Sequence, residues 1–158
     1  MKRIVLLMLV ISSMSAKVSA QWFTTGTAGI GYLDDEFQLV LKPGVGYEFA
    51  ERWAAGVGLG LGVFDGTAYG VIDPYVRFNC WNNGRFFVDA KAEADVWFGH
   101  GNSIADIGIV PSVRIGINKS WAAFGDFGLF GVQNINDEWR PAFGVTCANV
   151  KMGIIYHF

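Results

Sequence analysis

The chain has 158 residues, of which 52% are hydrophobic, 15% aromatic and only 16% charged, with a formal net charge of −2. Nucleic-acid binding needs clustered positive charge, and charges this sparse, with acids in excess, exclude it. The 21 glycines argue against a helical protein, because each costs about 0.8–1 kcal/mol inside a helix relative to Ala.

Lys2 and Arg3 precede an apolar run from Ile4 to Ile11, which leads through small residues to Val18-Ser19-Ala20 before Gln21. The run is too short to span a bilayer and a small-residue cleavage site follows it, which is the pattern of a secretory signal peptide. Residue 21 is Gln, so the lipid-modified cysteine of a bacterial lipoprotein is not expected. The expectation is a cleaved leader over residues 1–20 and one domain over residues 21–158. Without Lys2, Arg3 and Lys17, nine basic residues face fourteen acidic ones, a net charge of −5. After the leader no apolar stretch approaches the roughly 18 residues of a membrane helix.

Read with a period of two, residues 21–158 divide into eight strands separated by turn signals. The first runs from Trp22 to Tyr32 and ends at Leu33-Asp34-Asp35-Glu36. The second, Phe37 to Phe49, carries Phe37, Leu39, Leu41, Pro43, Val45, Tyr47 and Phe49 on one face, with Lys42 and Glu48 on the other. Strand three, Trp53 to Phe64, sets Trp53, Ala55, Val57, Leu59, Leu61 and Val63 against Ala54, Gly56, Gly58, Gly60 and Gly62. Repeated glycine on one face marks close approach by something bulky, expected here as long charged side chains from the opposite wall. Strand four, Tyr69 to Cys80, sets Ile72, Pro74, Val76, Phe78 and Cys80 against Asp73, Tyr75, Arg77 and Asn79, and Asn82-Asn83-Gly84 signals a tight turn.

Strand five, Phe86 to Phe98, has the sharpest contrast. Asp89, Lys91, Glu93 and Asp95 lie in a row between Phe87 and Trp97, and the other face is Phe86, Val88, Ala90, Ala92, Ala94, Val96 and Phe98. Strand six, Ile104 to Ile117, puts Ile107, Ile109, Pro111, Val113 and Ile115 against Asp106, Ser112 and Arg114. Strand seven, Trp121 to Val132, sets Trp121, Ala123, Phe127 and Leu129 against Asp126. The last strand ends Val150-Lys151-Met152-Gly153-Ile154-Ile155-Tyr156-His157-Phe158. Pro43, Pro74 and Pro111 each lie seven residues before a turn, and Trp-Ala-Ala follows two of those turns, at Trp53 and Trp121. Proline lacks an N–H, so three at equal depth suggest a bulge or register feature in every second strand.

Pooled, the polar faces hold Lys42, Arg77, Lys91, Arg114 and Lys151 against Glu48, Asp73, Asp89, Glu93, Asp95, Asp106 and Asp126. Turning these outward into lipid would cost about 2–4 kcal/mol for each Lys or Arg at mid-bilayer. The alternation therefore predicts an all-β fold: an eight-stranded antiparallel up-and-down transmembrane β-barrel, apolar outside, with a lumen packed by ion pairs and too narrow for a wide pore. Trp22, Tyr47, Trp53, Phe78, Trp121 and Tyr156 would form one aromatic girdle, and Tyr32, Phe37, Phe64, Phe98 and Trp139 the other. A soluble lipocalin-like barrel would need the reverse polarity. Cys80 and Cys147 fall on strands four and eight, on opposite sides of the barrel, and are expected as free thiols.

The leader, the eight alternating strands, and the ending Met152-x-Ile154-x-Tyr156-x-Phe158 resemble small Gram-negative outer-membrane barrels. The Pro-x-Val-x-Tyr strands followed by Trp-Ala-Ala are similar to the opacity-protein and OmpX-like "porin family" barrels of the Bacteroidetes type. The resemblance implies location in the bacterial outer membrane, contact with its lipids and lipopolysaccharide, and a monomer with both termini in the periplasm. It also implies that Met152, Ile154, Tyr156 and Phe158 form the signal read by the barrel-assembly machinery. The role implied is structural or cell-surface interaction in the envelope, with no cofactor.

Some such barrels modify lipid A, and others conduct small solutes or ions. For enzyme chemistry the sequence offers one nominal triad, His100, Ser103 and Asp106, within seven positions on a glycine loop whose residue types are ordinary turn formers. No metal-ligand spacing joins Cys80, Cys147, His100 and His157. The expectation is no catalytic, cofactor or metal site, and a lumenal charge network as the feature of interest. The far rim is acidic, with Asp34, Asp35, Glu36, Asp65, Asp137 and Glu138 near Arg140 on loops of three to seven residues.

Overall fold

A computed structural model of the chain describes residues 21–33, 36–64, 66–99, 102–135, 138–144 and 150–158. All of its regular structure is antiparallel β-sheet: β1 (Gln21–Leu33), β2 (Glu36–Ala50), β3 (Trp53–Phe64), β4 (Thr67–Asn82), β5 (Phe86–Gly99), β6 (Asn102–Gly116), β7 (Trp121–Phe127), β8 (Leu129–Ile135), β9 (Glu138–Gly144) and β10 (Val150–His157). β7 and β8 are the two halves of one barrel strand, and β9 and β10 are the two halves of the next, so the ten segments make an eight-stranded up-and-down barrel. It closes through the β1–β10 and β5–β6 pairings.

The registers can be followed once around the wall. Val88 pairs with Val113, then Gly125, Met152, Ala28, Leu41, Leu61 and Gly70 follow, and the circuit returns to β5 at Phe98. It comes back ten residues beyond its start. In eight strands that stagger fixes a tilt of roughly 40°, and the interior is just wide enough for side chains to fill.

Alternation does the rest. Along β4 the inward residues run Tyr69, Val71, Asp73, Tyr75, Arg77, Asn79, all buried or half-buried, and this order is the layering of the lumen. Val40, Tyr69, Val71 and Trp97 form an apolar layer toward the end away from the termini. Phe23, Ala54, Ala122 and Ile155, with Tyr75 and Phe124 against them, form a second toward the termini. Charged side chains lie between the two and beyond the second. The Trp-Ala-Ala repeat is explained by both faces: Ala54 and Ala122 are small enough to pack around Phe23, and the preceding tryptophans lie outside.

Outward, large apolar side chains are exposed on every barrel strand, among them Ile30, Leu41, Leu59, Val76, Val88, Ile109, Phe130 and Ile154. At the terminal end the rings pair across strands: Trp22 with Tyr47 at 5.0 Å, Trp53 with Phe78 at 4.7 Å, Trp121 with Tyr156 at 4.8 Å. At the other end Phe37, Phe98 and Trp139 are exposed.

Three expectations from the sequence need correction. Opposite Pro43 and Pro74 no residue is inserted, since the β2–β3 register is the same at Leu41↔Leu61 and Gly44↔Gly58 and the β4–β5 register at Ile72↔Val96 and Tyr75↔Glu93. Only opposite Pro111 does the register shift, between Ile109↔Phe130 and Ser112↔Asp126. The ladder only skips the proline positions on one side, as the missing N–H requires. On β2 and β4 the register shifts fall later, between Glu48 and Ala50 and between Asn79 and Trp81, next to the turns. Second, Leu129 faces the lumen and is 4% exposed. Ser112 pairs with Asp126 but Ile109 with Phe130, so the seventh strand carries one extra residue. Gly128 takes it up at φ +78°, a bulge that flips every later side chain to the other face.

Third, the glycines of β3 do not make room for charges from the opposite wall. A Cβ on Gly56 would lie 2.5 Å from the Tyr75 hydroxyl, and one on Gly62 2.3 Å from the Trp97 ring. Both rings come from nearby strands, Tyr75 from β4 and Trp97 from β5. The same device recurs at direct cross-strand pairs, Phe23 over Gly46, Phe98 over Gly70 and Phe124 over Gly153, where an aromatic ring covers the backbone that glycine leaves bare. The connections are also shorter than expected, since the strands run to Leu33 and from Glu36, to Phe64 and from Thr67, and to Gly99 and from Asn102.

Candidate functional site

Among the described residues, the chain gathers its charged chemistry in the lumen. β2, β4, β5, β6, β7 and β10 each send charged side chains inward by the parity of their alternation, and the barrel brings residues more than fifty positions apart within bonding distance. Asp73 accepts from Lys42 at 2.8 Å, and Lys42 also donates to Asp95 at 2.7 Å. Asp95 accepts in turn from Lys151 at 2.5 Å, and Lys151 donates to Glu93 at 2.7 Å. Glu93 lies 2.6 Å from Lys91, which donates to Asp126 at 2.5 Å. Asp73, Lys42, Asp95, Lys151, Glu93, Lys91 and Asp126 thus form one unbranched ladder, acid and base alternating, with an acid at each end.

A second cluster lies toward the termini, beyond the Phe23 layer. Glu48 accepts from Arg77 at 3.1 Å and sits 3.7 Å from Arg114. Arg114 Nε donates to Asp89 at 3.2 Å, and the Asn79 amide donates to the same carboxylate at 2.7 Å. Each arginine also lies over a ring, Arg77 5.1 Å from Phe23 and Arg114 4.3 Å from Phe87. His157 Nε2 is 3.6 Å from Glu48. Buried charges need this density of partners, because an uncompensated one costs several kcal/mol.

All twelve charges expected in the lumen face inward, and their partnerships are more specific than the sequence allows. Of the two arginines flanking the strand-five row, Arg114 meets Asp89 while Arg77 turns to Glu48. The row's remaining partners come from across the lumen, Lys42 on β2 and Lys151 on β10. Asp106 joins neither cluster. It lies in register with Asp95, shares a side-chain hydrogen bond with Gln133, and leaves Oδ1 without a partner among the described residues. Sequence reasoning left His157, Gln133 and the covering rings Phe23 and Phe87 out of the network. His157 has the same parity as Lys151, which is the signal that could have found it. Gln133 reaches the lumen only through the Gly128 bulge, which lies opposite Pro111 and so in the strand facing the proline, where the proline repeat does not place it.

Other expected residues fall as follows. Met152, Ile154 and Phe158 are exposed on the outer face of β10 and just beyond it, and Tyr156 lies between the rings of Trp121 and Phe158. Cys80 is a free, exposed thiol; Cys147 lies outside the described residues. Of the nominal triad, His100 is outside the described residues, Ser103 falls within β6 rather than a loop, and Asp106 is the lumenal acid bonded to Gln133. Of the rim acids, Asp34, Asp35, Asp65 and Asp137 are outside the described residues, and Arg140 pairs with Glu138 at 2.8 Å in the open.

Chemically, the ladder is a continuous set of ammonium–carboxylate bonds in a narrow interior, suited to holding the walls together, with one oxygen of each terminal acid, Asp73 and Asp126, left without a partner among the described residues. A cavity of about 30 Å³ remains between the two charge clusters, lined by members of both. Comparison with protein-family models and with curated proteins finds no match to this chain.

Proposed function

We propose that this chain is a small outer-membrane β-barrel protein with a structural or surface-interaction role in the bacterial envelope. The observation that carries the reading is the reversed polarity of the barrel: charges buried and bonded inside, large apolar side chains exposed all around, aromatic pairs gathered at one end. Lipid is the solvent in which that surface is stable. The outer membrane follows from combining this surface with the leader pattern over residues 1–20. Lipopolysaccharide and phospholipid are then its surroundings, the assembly machinery its partner during biogenesis through Met152, Ile154, Tyr156 and Phe158, and the monomer its working form.

The packed lumen supports a structural role over transport, and the very short connections support it over recognition of a large partner. Fractionation tests the location. Expressed with its leader, the protein should appear in outer-membrane fractions and migrate faster on a gel unheated than boiled. Recovery as a soluble periplasmic species would overturn the reading. Stable conductance steps in planar bilayers would favour a channel, and altered lipid A acylation in an overexpressing strain would favour an enzyme.

A further inference from the structure

The ladder of Asp73, Lys42, Asp95, Lys151, Glu93, Lys91 and Asp126 holds four carboxylates and three ammonium groups. Its two terminal acids, Asp73 and Asp126, both line the cavity of about 30 Å³ in the lumen. Both side chains are more than nine-tenths buried, and each leaves its Oδ1 without a hydrogen-bond partner among the described residues. Thr25, Thr27 and Ser112 line the same cavity. The basic groups in its wall already have partners: Lys42 holds Asp95 and the other oxygen of Asp73, Lys91 holds Glu93 and the other oxygen of Asp126, Arg77 holds Glu48, and Arg114 holds Asp89 and Glu48.

We propose that this cavity binds a monovalent alkali cation between Asp73 and Asp126, closing the open ladder into a neutral ring. Water alone would satisfy the lone pairs but leave the excess negative charge of the ladder uncompensated in a buried site, which is the costly situation. The donor set is hard oxygen, carboxylate and hydroxyl, the type that suits an alkali ion or another hard cation. A divalent ion would overshoot, bringing a second positive charge against Lys42 and Lys91. The cavity has room for about two water-sized occupants, since one needs about 10–15 Å³ on this measure, so an ion and one water fit.

The proposal does not depend on the membrane reading, because it concerns the folded barrel in any solvent that keeps it closed. Refolded protein in detergent should melt a few degrees higher in sodium or potassium chloride than in choline chloride at equal ionic strength. The rise should saturate, as binding to the folded state alone requires. Crystals soaked in thallium(I) should show an anomalous peak within the cavity, between the Asp73 and Asp126 carboxylates. Asp126→Asn should abolish both effects. Should that variant fail to fold, Ser112→Ala, which keeps every charge, should weaken the cation dependence. Equal melting in all three salts, a cavity holding only water, or a cation effect that survives in a folded Asp126→Asn would each overturn the site.

Discussion

Lys42 on β2 reaches through the lumen to Asp95 on β5, three strands away around the wall, and donates to its Oδ1 at 2.7 Å while also holding Asp73 at 2.8 Å. One amine thus ties three strands, and it is almost fully buried. Lys42→Met keeps the volume and removes the charge. Asp95 retains Lys151, but Asp73 loses its only ion-pair partner among the described residues. The substitution should lower stability by about 3–5 kcal/mol, the usual cost of breaking a buried pair by one member. Adding Asp73→Asn should recover part of that loss, because the stranded charge goes with it. Urea unfolding of refolded protein, followed by tryptophan fluorescence, measures both. A loss below about 1 kcal/mol in the single variant would mean the lumen is wetter than its packing implies.

The two arginines near the termini should not be equivalent. Arg114 bonds Asp89, a carboxylate buried to 2% exposure, and packs on Phe87. Arg77 bonds Glu48, which is partly solvated and keeps Arg114 nearby. Arg114→Leu should therefore cost about 3–5 kcal/mol, and Arg77→Leu about 1–2 kcal/mol, nearer the range for a partly exposed pair. Thermal melts of the two variants side by side decide it. The reverse order would mean that the Asn79 amide alone satisfies Asp89.

Period-two reading recovered the barrel because each strand has one face that is apolar and one that is not, and parity carries the lumenal charges on β2, β4, β5, β6, β7 and β10, from Lys42 to Lys151, to the same side. Where parity breaks, reading fails. Leu129 continues the outward series of Phe127 in the sequence, yet the added residue at Gly128 turns it inward and brings Gln133 to Asp106. Gly128 sits among other glycines, Gly125 and Gly131, and nothing local distinguishes the one at positive φ. Partner choice in the lumen is equally hidden. It depends on the ten-residue stagger of the closed wall, a property of all the pairings together, so Lys151 could be assigned to the interior but not to Glu93 and Asp95.

The glycines of the inner wall look alike in sequence and should behave differently. A Cβ at Gly46 would fall 2.2 Å from Phe23, a ring that is fully buried and has Arg77 against its face. Gly46→Ala should cost about 1–3 kcal/mol through overpacking. At Gly60 the obstacle is backbone, the Leu41 carbonyl oxygen at 2.1 Å, which cannot swing aside, so Gly60→Ala should cost at least as much. At Gly58 the nearest atoms, Asp73 Cβ and Lys42 Cβ, stand at 3.6 and 3.7 Å, ordinary contact. Gly58→Ala should be near neutral or slightly stabilising, since alanine loses less conformational freedom on folding. Equal effects at all three positions in chemical unfolding would show that the wall relaxes freely around an added methyl group.

The outer face makes a prediction that separates lipid from water as the solvent of this barrel. Leu59 is 56% exposed and lies near the middle of β3, between the girdle residue Trp53 and the opposite end at Phe64. Leu59→Arg should destabilise the protein by about 2–4 kcal/mol in phospholipid vesicles, the cost of Arg near the midplane of a lipid-facing wall. Arg85, in the turn between β4 and β5, gives the control: Arg85→Leu lies outside the barrel strands and should change little in the same vesicles. A folded, vesicle-inserted Leu59→Arg variant with unchanged stability would place β3 away from lipid, because only contact with hydrocarbon makes that one charge expensive.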